Sequence, residues 1–335
     1  MKSLMMALLA VWVLQGTAWA AAETAPRSGK KFQAKPHVKQ SKSARSYGRP
    51  AKTRVKASAT AAPTPKPRPQ AMRLATAVQE SGGTPQLRSS SAYVLDPKDG
   101  RTLYAKNITS VQPIASITKL MTAMVTLDAK LDLNELIAIT EEDVDALKHT
   151  GSRLQVGTIL SRDDMLHLAL MASENRAASA LSRAYPGGHT AFIAAMNRKA
   201  ADLGMTSTRF LDSTGLNREN VSTAEDLAKM VTAAYRYPVI QQYTTSTEYA
   251  VRSNSGRVLQ YRNSNGLVRS DDWQIEVSKT GYIAEAGRCL VMQARIGATP
   301  VVIVLLDSWG KYTRIADANR VKKWVESQLA RPAPG

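Results

Sequence analysis

Apolar residues recur with two different periods along the chain, and these periods predict its helices and strands. Positions 117, 120, 121, 124 and 125 are apolar and would form one stripe of a helix over residues 117–127. A helix is predicted directly after the capping-box-like run Ser161 to Asp164. Further helical patterns cover residues 190–203, a segment starting near 222, and residues 313–329. Shorter runs predict strands, at residues 91–95, 101–105, 276–280, 288–294 and 300–307. With strands at both ends and helices between them, the pattern predicts one mixed α/β domain whose two ends pair in a single sheet.

The first twenty residues have the pattern of a secretory signal peptide. Lys2 supplies a basic start, residues 4–14 are uninterruptedly apolar, and Ala18 and Ala20 are small residues suited to a cleavage site. The apolar run is shorter than the roughly 20 residues that span a bilayer. We therefore predict cleavage near Ala20 and a periplasmic mature protein, with an uncleaved anchor as the alternative.

A basic segment rich in proline, alanine and serine follows, over residues 21–88. Proline occupies every second position from 63 to 69, which is incompatible with a helix or a central strand. Because apolar periodicity is absent, the segment cannot bury enough surface to offset its ordering entropy, and a disordered linker is predicted. Two interpretations stay open: a solvated linker without a partner, or a tether to an anionic wall or membrane surface through residues 21–73.

The charge of the chain lies mainly in this linker. The formal net charge is +18, from 45 Lys and Arg against 27 Asp and Glu, but residues 74–335 contribute only +4 of it. A nucleic-acid-binding module would carry its basic residues on the folded part, so no nucleic-acid partner is predicted. The single cysteine, Cys289, excludes an internal disulfide and a cysteine-based metal site, and no metal or cofactor is expected. His149, His167 and His189 are interpreted as structural or surface residues.

Three short motifs stand in the predicted domain, which covers residues 89–331. They are Ser116-Ile-Thr-Lys119, Ser173-Glu-Asn175 and Lys279-Thr-Gly281. Ser-x-x-Lys also occurs at residues 28–31 and 308–311, where no helix start is indicated. Each motif is weak by itself, whereas their order and their context fit one catalytic site.

The first motif suits a serine nucleophile and its base. Ser116 is predicted in the first turn of the helix, and Lys119 would lie on the same helix face, three residues further on. A serine hydroxyl needs a base to remove its proton, and a lysine serves only if burial or a nearby cation lowers its pKa. Lys279 would be that nearby cation.

The other two motifs would bind substrate and move protons. Ser173 is assigned as a proton relay and Asn175 as a partner of the substrate and of Lys119, whereas Glu174 is expected to point away without a catalytic role. Lys279 and Thr280 would end a strand and bind a carboxylate or carbonyl group. Gly281 would let the substrate backbone approach. The backbone N–H groups of Ser116 and Tyr282 would form the oxyanion hole.

In this order, the motifs resemble those of the penicillin-binding serine D-alanyl-D-alanine peptidases. Four flanking runs are similar to the low-molecular-mass endopeptidase type, at residues 113–124, 168–178, 185–188 and 310–318. The resemblance covers residues 91–330. It implies a β-lactamase/transpeptidase-like fold, in which a mainly antiparallel sheet is flanked by helices beside an all-helical part.

The resemblance also implies an activity and its partners. Such enzymes cut the D-alanyl–meso-diaminopimelyl cross-link of peptidoglycan through an acyl-enzyme, expected here at Ser116, and β-lactams acylate them. Related carboxypeptidases add a C-terminal β-domain and an anchor helix, for which the residues after the last predicted helix leave no room, so the endopeptidase type is expected. A carboxypeptidase with the same catalytic residues is the first alternative. The second is a non-catalytic protein that binds anionic polymers through its basic tail.

Overall fold

The computed structural model describes residues 83–254 and 256–330. The predicted signal peptide and nearly all of the predicted linker lie outside the described residues, and the domain boundaries stay predictions. Packing begins at Pro85 and Leu87, which are both buried, and Lys106 donates to the Leu87 carbonyl oxygen across 2.9 Å.

Seven α-helices form in the described part of the chain. They are α1 (Thr118–Asp128), α2 (Arg162–Met171), α3 (Asn175–Arg183), α4 (Gly188–Asp202), α5 (Ala224–Ala234), α6 (Pro238–Thr245) and α7 (Thr313–Leu329). Short 3₁₀ turns lie at Ala115–Ile117, Glu141–Asp143 and Gly266–Arg269. In the described residues, no helix combines the length and the hydropathy needed to cross a membrane.

Eleven strands are present in the same residues. They are β1 (Ser91–Leu95), β2 (Thr102–Lys106), β3 (Gln112–Pro113), β4 (Leu136–Ala138), β5 (Ile159–Ser161), β6 (Val221–Ser222), β7 (Glu248–Arg252), β8 (Val258–Arg262), β9 (Gln274–Ile283), β10 (Gly287–Ile296) and β11 (Thr299–Ser308).

The central sheet joins the two ends of the domain, as the sequence pattern predicts. Its strand order is β2-β1-β11-β10-β9, and every neighbouring pair is antiparallel. Strand β1 pairs with β11, which places Tyr93 opposite Val304. The remaining strands form three two-stranded pairs: β3 with β6, β4 with β5, and β7 with β8.

Helices cover both faces of this sheet, which explains why β11 is apolar at nearly every position. Val302, Val304 and Leu306 belong to the core shared with the large helical part. Val301 and Ile303 point the other way and pack in a second core with α7. Successive side chains of a strand face opposite sides, so a strand buried on both faces reads as a continuous apolar run.

Local sequence signals predicted most helices and the strands of the central sheet. Two details of the site differ from the prediction. Helix α7 has its predicted bounds, and Ser161 caps α2 in a capping box with Asp164. Ser116 lies in the 3₁₀ turn before α1 and not in the first turn of the α-helix. Strand β9 continues to Ile283, so Lys279, predicted near a strand end, lies inside it.

Candidate active site

The three motifs meet at one cavity of about 410 Å³. Ser116 comes from the turn before α1, Ser173 and Asn175 from the junction of α2 and α3, and Thr280 and Gly281 from β9, and all five line the cavity. The two motif lysines do not line it and are almost fully buried beneath it. The tertiary structure thus brings together all three predicted motifs.

The turn that presents Ser116 is held in an unusual backbone conformation. Ala115 has φ of 49°, in the left-handed region that is costly for a residue with a side chain. The Thr118 hydroxyl donates to the Ala115 carbonyl oxygen across 2.8 Å. Two glycines approach this turn closely: a Cβ on Gly215 would lie 1.9 Å from the Ala115 oxygen, and one on Gly281 would lie 2.9 Å from the Ile114 oxygen. Both positions need a residue without a side chain.

A glycine is therefore required at position 281 by the packing of the protein itself, which the sequence did not reveal. From the sequence, this glycine is expected to allow the approach of the substrate backbone. In the structure, a Cβ there would also lie 3.1 Å from the backbone nitrogen of Ser116. Gly281 lets β9 lie directly against the turn that carries the serine.

Lys119 is surrounded by three acceptors. Its Nζ donates to the Thr214 carbonyl oxygen at 2.6 Å and to Asn175 Oδ1 at 2.7 Å, and lies 3.0 Å from Ser116 Oγ. Burial lowers the pKa of Lys119 to about 8, against the opposing effect of the carboxylates of Asp212 and Glu174. Of the two causes expected from the sequence, burial and a nearby cation, burial is the one that lowers this pKa.

Lys279 is the partner of Ser173. Its Nζ donates to Ser173 Oγ at 2.8 Å and to the Thr280 carbonyl oxygen at 2.9 Å. Burial, followed by the charges of Lys119 and Arg314, holds the pKa of Lys279 well below its usual range. Ser173 has φ of 63°, so its hydroxyl is presented from a strained junction.

The junction between α2 and α3 orients the second motif. Glu174 caps α3, since its carboxylate accepts from the backbone N–H of Arg176. Asn175 begins the helix, and its Nδ2 donates to Thr150 Oγ1 across 3.1 Å. The Glu174 side chain lies on the other side of the junction and accepts from Ser152 Oγ at 2.6 Å. This orientation agrees with the expectation that Glu174 points away.

The far wall of the cavity comes from β9 and its surroundings. The Thr280 hydroxyl donates to Ser264 Oγ at 2.8 Å. The side chain of Tyr282 is 56% exposed, and the guanidinium of Arg288 lies 4.6 Å from its ring centre. Because Gly281 adjoins the Ser116 nitrogen, the backbone of Tyr282 follows close to the serine.

Several residues of the site were missed by sequence reasoning. Thr214 supplies the carbonyl oxygen for Lys119, and Asp212 fixes its loop by accepting from the backbone N–H of Gly215 at 2.7 Å. Ser264 and Arg314 line the cavity, and Arg314 donates to the Gly281 carbonyl oxygen. The spacing of Asp212 and Gly215 signals a turn, but nothing local shows that the turn lies beside Ser116.

His167 and His189 both contact neighbouring side chains away from Ser116. His167 stacks between the rings of Tyr243 and Tyr249, with centroids 4.1 and 3.8 Å away, and burial lowers its pKa to about 4. His189 Nδ1 lies 2.9 Å from Ser182 Oγ. Within the described residues, no histidine forms a hydrogen bond with Ser116, so Lys119 is the basic group beside the serine.

Comparison with known proteins decides the family. The S11 peptidases, described as D-alanyl-D-alanine carboxypeptidases, match residues 76–310, more than half of the chain. The chain belongs to this family. Two relatives are named D-alanyl-D-alanine endopeptidase: that of Pseudomonas aeruginosa is 47% identical and that of Escherichia coli 46% identical. Both alignments cover 77% of this chain, and they cover 86% and 84% of the relatives.

Solved structures of the family have the same architecture. The Streptomyces K15 DD-transpeptidase superposes with a TM-score of 0.68 at 28% identity, over 72% of this chain and 98% of that one. Penicillin-binding protein D2 of Listeria monocytogenes, in its ampicillin-bound form, gives 0.63 at 27% identity, over 72% and 99%. The antiparallel sheet flanked by helices, expected from the resemblance, is confirmed. The chain is a serine-type DD-peptidase whose similar relatives include named endopeptidases.

Proposed function

We propose that the chain is a periplasmic serine DD-endopeptidase that hydrolyses D-alanyl–meso-diaminopimelyl cross-links of peptidoglycan through an acyl-enzyme at Ser116. The observation that carries the proposal is the environment of Lys119. Two of its neighbours, the Thr214 carbonyl and Asn175 Oδ1, can only accept hydrogen bonds, and the third is the Ser116 hydroxyl.

This environment suits a lysine that acts as a base. A neutral amine has two N–H donors and one lone pair. If the two donors are held by the oxygens of Thr214 and Asn175, the lone pair faces Ser116 Oγ and can accept its proton. Since burial lowers the pKa of Lys119 to about 8, a useful fraction of the amine is neutral near pH 7.

The remaining predicted residues complete an acyl-transfer cycle. The bond from Ser116 Oγ to the substrate carbonyl carbon forms while the carbon–nitrogen bond breaks, and the Ser116 proton passes to Lys119. The leaving nitrogen takes a proton from Ser173, which Lys279 replaces across their 2.8 Å hydrogen bond. A low pKa suits Lys279 to this donation.

Hydrolysis of the acyl-enzyme reverses these transfers. Water attacks the ester carbonyl, its proton restores the ammonium group of Lys279 through Ser173, and the Ser116 oxygen regains its proton from Lys119. In both steps the backbone N–H groups of Ser116 and Tyr282 would stabilise the oxyanion. The contact of Gly281 with the Ser116 nitrogen supports this assignment because it brings β9 beside the serine.

Substrate binding is assigned to the same walls. Asn175 would orient a peptide group of the substrate, while Lys279, Thr280 and Gly281 would receive a carboxylate or carbonyl group. A β-lactam would acylate Ser116 in the same position, and the similarity to an ampicillin-bound protein supports this.

The proposal is tested with a fluorescent penicillin and with intact sacculi. The wild-type enzyme should be labelled covalently, and Ser116→Ala should lose the label while remaining folded. Mass spectrometry of the digest should show that cross-linked muropeptides disappear. Labelling of the Ser116→Ala variant at the wild-type level would refute the nucleophile.

A carboxypeptidase is the second candidate, because the family description and a 29%-identical relative from Bacillus subtilis carry that name. Digestion of cross-linked dimers and pentapeptide monomers side by side separates the two activities. Loss of terminal D-alanine from the monomers, with intact dimers, would favour the carboxypeptidase.

A further inference from the structure

A second cavity of about 470 Å³ adjoins the active site. Ser173 and Asn175 line both cavities, so the two are neighbours across the junction of α2 and α3. The other walls of the second cavity are residues 151–153, Glu174, and the end of β8 at Tyr261 and Arg262. No step of the proposed acyl-transfer cycle uses this space.

The walls of the second cavity carry charges of both signs. Glu174 accepts from Ser152 and from the Arg176 backbone, and within the described residues no basic side chain forms an ion pair with it. The guanidinium of Arg153 lies 4.4 Å from the ring centre of Tyr261 and donates to the Gln260 carbonyl oxygen. Neither Arg153 nor Arg262 forms an ion pair with a described acidic residue.

Tyr261 is a buried polar group without a partner. Its side chain is about 2% exposed, and its hydroxyl forms no hydrogen bond within the described residues. Burial, followed by the charge of Glu174, raises the pKa of this hydroxyl, so it remains a donor. A buried hydroxyl without a partner is unfavourable, and a bound polar group that reached it would remove this cost.

The second cavity lies beside the residue that would protonate the leaving group. Ser173, which would give its proton to the leaving nitrogen, stands at the boundary between the two cavities. A carboxypeptidase releases D-alanine, whose side chain is one methyl group. An endopeptidase releases a diamino acid that is still part of a second peptide and carries free carboxylates, and this product needs space and basic partners beyond Ser173.

We propose that the second cavity binds the released peptide of the cross-link, with Arg153 and Arg262 pairing with its carboxylates and Tyr261 and Glu174 hydrogen-bonding its peptide groups. This assignment rests on the proposed endopeptidase activity and adds a specificity site to it. It predicts that Arg153, Arg262 and Tyr261 contribute to cleavage of cross-linked dimers and not to acylation by penicillin, which has no second peptide.

Charge reversal at the rim tests the assignment. Arg262 is exposed, so Arg262→Glu should leave the fold intact, and Arg257→Glu is the matched control because Arg257 is exposed on the same hairpin and does not line the cavity. We expect Arg262→Glu to lower kcat/KM for a purified cross-linked dimer about tenfold, mainly through KM. Penicillin acylation and release of D-alanine from a pentapeptide should stay within about twofold of wild type.

A second variant tests the interior of the cavity. Tyr261→Phe removes only the hydroxyl, and we expect about a threefold lower kcat/KM for the dimer with unchanged acylation. Unchanged dimer cleavage in both variants, or an equal loss of dimer cleavage and acylation, would overturn the assignment. Failure of the proposed function would look different, because the wild-type enzyme itself would then not be acylated or would leave the dimer intact.

Discussion

At the residue scale, the reactivity of Ser116 depends on what surrounds Lys119. A lysine that is three residues from a serine on a helix is ordinary, and most such pairs are exposed. Here Lys119 is fully buried and its two other contacts are oxygens that cannot donate. In the proposed mechanism, burial and directed hydrogen bonds together convert a common pair into a nucleophile and its base.

The pH dependence of acylation follows from the state of Lys119. The neutral amine is the active form, and burial lowers the pKa of Lys119 to about 8. The acylation rate with a fluorescent penicillin should therefore rise about tenfold per pH unit at acidic pH as Lys119 loses its proton, and fall again where Lys279 loses the proton that it gives through Ser173. Stopped-flow measurements over pH 6 to about 10 test this, and a profile without an acidic limb would contradict the role of Lys119 as base.

Glu174 should set the position of that acidic limb. Its carboxylate raises the pKa of Lys119, so Glu174→Gln should move the acidic limb of the acylation profile to lower pH. Glutamine retains an oxygen that can cap α3. Glu142→Gln is the control, because Glu142 is an exposed acidic residue outside both cavities. Equal profiles for all three proteins would show that Glu174 does not act on Lys119.

At the element scale, the site depends on how closely the loop before β6 and strand β9 approach the turn before α1. Gly215 and Gly281 make both approaches possible. The Ser116 turn is thereby held between two elements, and their packing keeps Ala115 in its strained backbone conformation.

Gly215→Ala should damage both stability and acylation. The new Cβ would overlap the Ala115 carbonyl oxygen, and Gly215 has φ of +81°. Gly204→Ala is a matched control, since Gly204 has φ of +68° but no heavy atom within 4 Å of the position that a Cβ would take. We expect the control to lose about 1 kcal/mol of unfolding free energy and to keep its acylation rate.

The Gly215→Ala variant should lose more than about 2 kcal/mol and most of its acylation rate, because the Ser116 turn must move. Urea unfolding and penicillin labelling measure the two effects. Equal behaviour of the two alanine variants would mean that the approach to Ala115 has no influence on the site.

At the scale of the whole molecule, charge and catalysis are predicted to be separate. Residues 21–73 carry 14 Lys and Arg and one Glu, whereas residues 74–335 carry a net charge of only +4. A variant lacking residues 21–82 should be acylated at the wild-type rate, and its binding to anionic vesicles or wall polymers should be weaker than that of the full chain. The difference should shrink as salt is raised. Loss of acylation in this variant would make the segment part of the site.

Local patterns were sufficient for the three motifs, for the strands of the central sheet and for five of the helices, whereas α3, α6 and the three two-stranded pairs were not predicted. The stripe over residues 117–127, the capping box at Ser161 and the bounds of α7 depend on neighbours within a few residues, so they are visible in the sequence. The serine–lysine pair is visible for the same reason. Where the prediction and the structure differ, as in the 3₁₀ turn at Ser116, contacts with distant segments decide the conformation.

The sequence by itself determined which side chains are proposed to carry the chemistry, because the three motifs can be read from neighbouring positions. The tertiary structure alone decided how these residues act. The Thr214 oxygen is 95 residues from Lys119 in the chain, and the hydroxyl of Ser173 is 106 residues from Lys279. Burial of both lysines and the second cavity beside Ser173 likewise arise only when helices and sheet pack together. A pKa and a cavity are properties of that packed environment, and no short stretch of sequence contains it.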